Sequence, residues 1–200
     1  MSVRVEVKWD KSQIAALETG PLKSALKRAL RKAGATALRD MRSEAVKRIR
    51  ARKRIKPSYI RDALTLARPK GGDVASMSWA LNVSGKPVPL IAYPHKVVRG
   101  RAGKRGMGPR SQGGLAVEVN VGKTTLIRGA FVATMRSGHQ GIFKRRGLKR
   151  LPIHDLLGSR PVDALLHQGE ADGVAARGGQ SFAATFERVL PLEIGKGKQG

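Results

Sequence analysis

The chain contains no cysteine, which excludes disulfides, thiolate-bound zinc, iron–sulfur clusters and thiol nucleophiles together. Aromatic residues make up only 4% of it. Any core must therefore rest on Leu, Val, Ile and Ala, which bury less area per residue than Phe or Trp. Acids are scarce as well: 14 Asp and Glu face 40 Lys and Arg, leaving a formal charge of +26. Self-repulsion of that size disfavours a compact monomer unless counter-ions, a polyanion or an acidic partner neutralise it. No run reaches the ~20 apolar residues of a membrane span, and Met1 to Asp10 lacks the apolar stretch of a signal peptide. The expectation is a soluble protein made in the cytoplasm, with no membrane partner.

What is present suffices for one domain. With 200 residues, 40% of them hydrophobic, the simplest organisation is a single domain over 1–200. Its core would span about 1–160, with a basic loop at 95–114 and a C-terminal extension at 161–200. Val3, Val5, Val7 and Trp9 alternate with Arg4, Glu6 and Lys8, the period of a half-buried strand. After Gly20-Pro21, Leu22, Leu26, Ala29, Ala33, Ala37, Met41, Ala45 and Ile49 recur every three or four residues. That repeat predicts a helix of about 40 Å with one buried stripe, weakened slightly by Gly34. Its other faces carry Lys23, Lys27, Arg28, Arg31, Lys32, Arg39, Arg42, Lys47 and Arg48 against only Asp40 and Glu44. Such a face is either simply solvated or a basic contact surface.

Pro57 opens a second short helix through Tyr59, Ile60, Ala63 and Leu64, joined to the first by the basic link Arg50 to Lys56. Alternation in Ala75 to Val83 and in Leu115 to Val121 predicts strands, as do Thr125 to Ala133 and Gly141 to Lys144. Val162 to Leu166 reads as a short helix, Gly169 to Gly179 as a linker and Ser181 to Leu192 as another helix. The fold class expected is α+β: a long N-terminal helix packed on a mostly antiparallel sheet, with the basic loop and C-terminal extension projecting.

The motifs of catalysis are thin. Gly122-Lys123-Thr124-Thr125 resembles the end of a phosphate-binding loop, but Val117 stands where that motif needs its first glycine, so a hairpin turn is expected. His95, His139, His154 and His167 are scattered, with no pair at metal-ligand spacing. Asp155, Asp163, Glu170 and Asp172 fall in or beside predicted loops with no apolar pocket to raise a carboxyl pKa. The expectation is no enzyme and no cofactor or metal. Between His95 and Gly114 there is no acid, and Lys96, Arg99, Arg101, Lys104, Arg105 and Arg110 crowd a glycine-rich stretch. These six are the candidate contacts for DNA or a protein partner, sequence-independent and salt-sensitive if they grip phosphates. No aromatics are interleaved with them, which disfavours single-strand recognition.

The most informative stretch is Leu126-Ile127-Arg128-Gly129-Ala130-Phe131-Val132-Ala133, followed by Gly138-His139-Gln140-Gly141-Ile142-Phe143-Lys144-Arg145 and Leu151-Pro152-Ile153. An apolar strand ending in Gly-Ala-Phe, a Gly-rich turn, an Ile-Phe-x-Arg strand and a Pro-Ile segment stand in order, with Gly158-Ser159-Arg160-Pro161 after them. A basic N-terminal helix, Gly85 to Leu90 and the basic loop precede them. This ordered set resembles the phage minor tail protein Z family, with Gly158-Ser159-Arg160-Pro161 departing from the family's Gly-Pro-Ser-Val run.

The resemblance implies that Gly129, Ala130, Phe131, Gly141, Phe143, Arg145, Pro152 and Ile153 maintain the fold. It implies a structural virion protein made in the host cytoplasm, completing the head-proximal end of a long phage tail as a homo-oligomeric ring of six. Its partners would be the tail terminator or tail tube, the connector proteins and phage double-stranded DNA. The alternative on charge alone is a general basic nucleic-acid-binding protein, ribosomal or nucleoid-like.

Overall fold

A computed structural model describes residues 2–6, 21–69, 74, 77–100, 113–147, 149 and 151–196. The first strand, β1 (Val3–Glu6), lies at one edge of a three-stranded antiparallel sheet whose centre is β3 (Ala80–Val83) and whose other edge is β2 (Leu64–Ala67). Val83 pairs with Val3 on one side and Leu64 on the other. Val7, Trp9 and Ala75, expected in these strands, lie outside the described residues. Met77 and Trp79, expected to extend β3, are buried but precede it.

The long helix α1 (Pro21–Arg52) has 32 residues. Leu26, Ala29, Ala33, Ala37, Met41, Ala45 and Ile49 are each at most 1% exposed. Leu30 and Leu38 widen the buried stripe, whereas Leu22 is exposed. The helix α2 (Pro57–Asp62) is shorter than expected: Ala63 caps it and Leu64 already belongs to β2. A 3-10 turn, Leu90–Ala92, leads into a second antiparallel sheet of order β4-β5-β6, with β4 (His95–Val98), β5 (Gly114–Asn120) and β6 (Lys123–Arg128). The expected loop thus starts later than His95, because Val98 pairs with Gly114 and His95 with Val117.

A third antiparallel sheet, β7 (Ala130–Thr134), β8 (Gln140–Arg145) and β9 (Ile153–Asp155), follows directly. Thr125 to Ala133, expected as one strand, is two strands in two sheets, broken at Gly129 with φ +72°. The α+β class stands, but the described strands form three small sheets rather than one.

The larger correction concerns the C-terminus. α3 (Pro161–Leu165) and α4 (Glu170–Lys196) are core elements, and Val162, Leu165, Val174 and Phe182 join the same apolar cluster as α1. The main partner of α1 is α4 rather than a sheet. The expected linker at 169–179 is helical because small residues let the two helices approach: Gly178 is buried, and the guanidinium of Arg48 occupies the space a side chain at Gly173 would need. Trp79 sits at the junction, its ring 5.5 Å from that of Phe182, which stacks in turn on Phe186 at 6.0 Å.

Candidate functional site

The eight residues of the strand-and-turn signature come together in and around the third sheet. Gly129 takes the left-handed turn between β6 and β7, and its N–H donates to the Gly113 carbonyl at 2.9 Å. Ala130 behind it is buried. Phe131 lies directly opposite Phe143 in the β7–β8 ladder, ring centroids 6.4 Å apart, and the Arg145 guanidinium stands over the Phe131 ring at 5.6 Å. That arrangement is a cross-strand aromatic pair capped by a cation.

Gly141 must be small, since a Cβ there would come within 2.9 Å of both Asp155 Oδ1 and the Phe143 ring. The Leu151-Pro152 bond is cis, the Pro152 carbonyl accepts from the Arg146 N–H at 3.2 Å, and Ile153 pairs with Arg145 to begin β9. The sheet is tied to the core further along. Leu156 N–H donates to the Ile142 carbonyl at 2.8 Å, while Leu90 N–H donates to the Leu156 carbonyl at 2.9 Å.

The turn that departs from the family pattern makes a defined contact. Gly158 N–H donates to the Val88 carbonyl at 2.7 Å, and the fully buried Tyr93 donates its hydroxyl to the Ser159 carbonyl at 3.0 Å. A Cβ at Gly158 would collide with the Tyr93 ring. Burial pushes the Tyr93 hydroxyl pKa up, partly offset by the Ser159 hydrogen bonds. Tyr93 was not singled out by the sequence reading, although one of only two tyrosines in an aromatic-poor chain was a usable signal.

Of the six basic candidates, Lys96 is exposed on β4 and Arg99 is exposed just after it. Arg101, Lys104, Arg105 and Arg110 lie outside the described residues. The phosphate-loop look-alike is a hairpin turn: Gly122 has φ +77°, and its N–H donates to Glu118 Oε1 at 2.8 Å. That hydrogen bond, with Arg54 at 3.2 Å, holds the Glu118 carboxyl below the usual range.

Three of the four scattered acids have side-chain partners. Asp163 accepts from Arg160 at 3.1 Å and Asp155 meets His139 at 3.0 Å. Glu170 and Asp172 sit in the first turn of α4 rather than in a loop. Glu170 accepts from Arg48 at 2.6 Å and Arg52 at 3.2 Å, and these hydrogen bonds lower its pKa. Among the described residues no group of three or more His, Asp or Glu could hold a metal ion.

A pairing missed in the sequence closes the far end of α4. Glu193, 3% exposed, accepts from Arg28 Nε at 2.7 Å and Lys32 Nζ at 2.6 Å. The hydrogen bond from Lys32, then that from Arg28, lowers its pKa to about 2.

A family model described as Prophage minor tail protein Z (GPZ) matches residues 12–173. No curated protein and no solved structure matches the chain.

Proposed function

Because the chain belongs to the prophage minor tail protein Z family, we propose that it is a structural, non-enzymatic virion protein that completes the head-proximal end of a phage tail. In this reading copies form a homo-oligomeric ring, six matching the symmetry of the tube, and join the tail tube or its terminator to the head–tail connector around the DNA path. The observation that carries it is the family match across residues 12–173, with the residues that carry the resemblance gathered in and around the third sheet. Two further features support it. The charge of +26 suits a subunit beside a polyanion. β6 is an edge strand exposed along nearly its whole length, with Leu126 43% exposed, and a closed ring is one way such an edge is covered.

The test is deletion of the gene from the phage that encodes it, with particles viewed by electron microscopy. Expected are DNA-filled heads and separate tails; intact infectious virions would refute the role. Ring formation is tested separately by replacing residues 101–112 with a short Gly-Ser linker. Val98 and Gly114 are paired at the base of that segment, so the fold should survive and light scattering should report loss of the oligomer. Intact oligomers would remove the basic segment from the assembly interface.

A further inference from the structure

The helix α1 is electrostatically two-sided, and its two sides do different work. Its only acids, Asp40 and Glu44, point toward α4. There Asp40 Oδ2 accepts from the Ser181 hydroxyl at 2.5 Å and Glu44 accepts from Arg48 at 2.7 Å, beside Glu170. At 3.6 residues per turn, Arg42, Val46 and Arg50 fall within an arc of about 80° that lies roughly opposite those acids. This second side faces two open clefts.

One cleft, about 300 Å³, is lined by Arg42, Ser43, Val46 and the Arg61 of α2. The next, about 410 Å³, is lined by Arg50, Lys53, Arg54, Lys56, Ala51, Ile55 and two prolines. The two are about 12 Å apart along the helix, measured from Arg42 to Arg50. Arg42 spends one Nη on the Arg61 carbonyl at 2.9 Å, and its Nε has no acceptor among the described residues.

The shelf is rigid. Arg54 N–H donates to the Val119 carbonyl at 3.1 Å, Lys56 N–H to the Ala92 carbonyl at 2.9 Å, and Val121 N–H to the Arg52 carbonyl at 3.1 Å. Of the acids nearby, Glu118 bonds to Arg54 and Asp62 is an exposed neighbour of Arg61. Among the described residues no carboxylate pairs with Arg42, Arg50, Lys56 or Arg61.

We propose that this paired basic cleft between α1 and α2 grips the phosphate backbone of duplex DNA. Neither cleft has an aromatic lining residue, so bases have nothing to stack on and a single strand is disfavoured. An acidic protein partner would ordinarily bring apolar anchors for a pocket. Here Ile55 is buried and the apolar lining that stays accessible is small, Ala51 and Pro94 with the half-buried Val46 and Pro57, while Arg50, Arg54, Lys56 and Arg61 are exposed, which matches a ligand that offers charge at intervals rather than large apolar anchors. The contact is sequence-independent, and it adds a phosphate-binding surface distinct from the segment after β4. It rests on the proposed place beside the DNA path only for the choice of duplex DNA; purified-protein binding and head-to-tail joining can fail independently of each other.

The experiment is fluorescence anisotropy of the full chain with a 30-base-pair duplex over a salt series. It compares Arg50→Gln/Lys56→Gln/Arg61→Gln with the equally charged control Lys86→Gln/Arg136→Gln/Arg188→Gln, all exposed positions. Losing three phosphate contacts reduces the slope of log K against log salt by about 2.7. The cleft variant should show that reduction and at least a tenfold loss of affinity at 200 mM salt, with the control slope unchanged. Equal losses in both variants, no binding by the wild type at 50 mM salt, or displacement of the duplex by polyglutamate at equal charge would overturn the proposal. A second measurement needs no variant: bound duplex should protect Lys53 and Lys56 from acetylation in the wild type while leaving Lys86 reactive. Equal reactivity of all three would count against it.

Discussion

Gly34 shows how a residue's local and tertiary roles can conflict. By helix propensity, glycine in the middle of α1 costs about 1 kcal/mol relative to alanine. The structure supplies the reason it is there: the indole of Trp79, 2% exposed, lies where a Cβ would be. Gly34→Ala should therefore destabilise the fold by about 1–3 kcal/mol through overpacking, outweighing the propensity gain. Gly179 in α4 has nothing within 4 Å of its would-be Cβ. Gly179→Ala should stabilise by up to about 1 kcal/mol. Urea midpoints of the two variants should move in opposite directions; a stabilised Gly34→Ala would show that the indole does not depend on that space.

At the scale of elements, what could be read from the sequence was set by periodicity. The stripe from Leu26 to Ile49 announces α1 because one face is apolar and the rest charged, and the alternation of Leu115 and Val117 announces β5. Two elements were misread because their cause is not periodic. Gly129 turns one apolar run into two strands through its backbone conformation alone. The glycines of 169–179 read as a linker, yet they permit close helix packing that only the folded neighbour α1 explains. The motif residues of the third sheet were recognisable as a set, while the partners of Tyr93 and Glu193, 66 and 161–165 positions away, could not be read from the sequence.

Glu193 also makes the α1–α4 contact pH-dependent. Its folded pKa is about 2 against 4.5 for the free group. A lowered carboxyl pKa contributes stability that is complete above about 4.5 and is lost as pH falls toward about 2. Glu193→Gln should lower the thermal midpoint at pH 7 and flatten its fall between pH 4.5 and 2 relative to wild type. An unchanged acid slope would mean that the pair with Arg28 and Lys32 adds nothing to the docking of α4.

For the whole molecule, the question is whether residues 161–200 are an appendage or half of the core. The sequence suggested the former, since glycine-rich composition at 169–179 hid the helix. The structure places Val174 and Phe182 in the main apolar cluster, with Phe186 and Leu190 packed against it. Fully burying Val174 and Phe182 is worth on the order of 3–6 kcal/mol at about 1.5–3 each, and the half-buried Phe186 and Leu190 add to it. That is comparable to the ~5–15 kcal/mol of a typical domain's entire stability, so removing α4 should unfold the chain rather than trim it. A protein ending at Gly169 should therefore lose cooperative thermal unfolding and show a red-shifted, solvent-exposed Trp79 emission. If that truncation instead kept a sharp transition and a buried indole, the core would be complete without α4, and the C-terminal helix would be the projecting extension that the sequence first suggested.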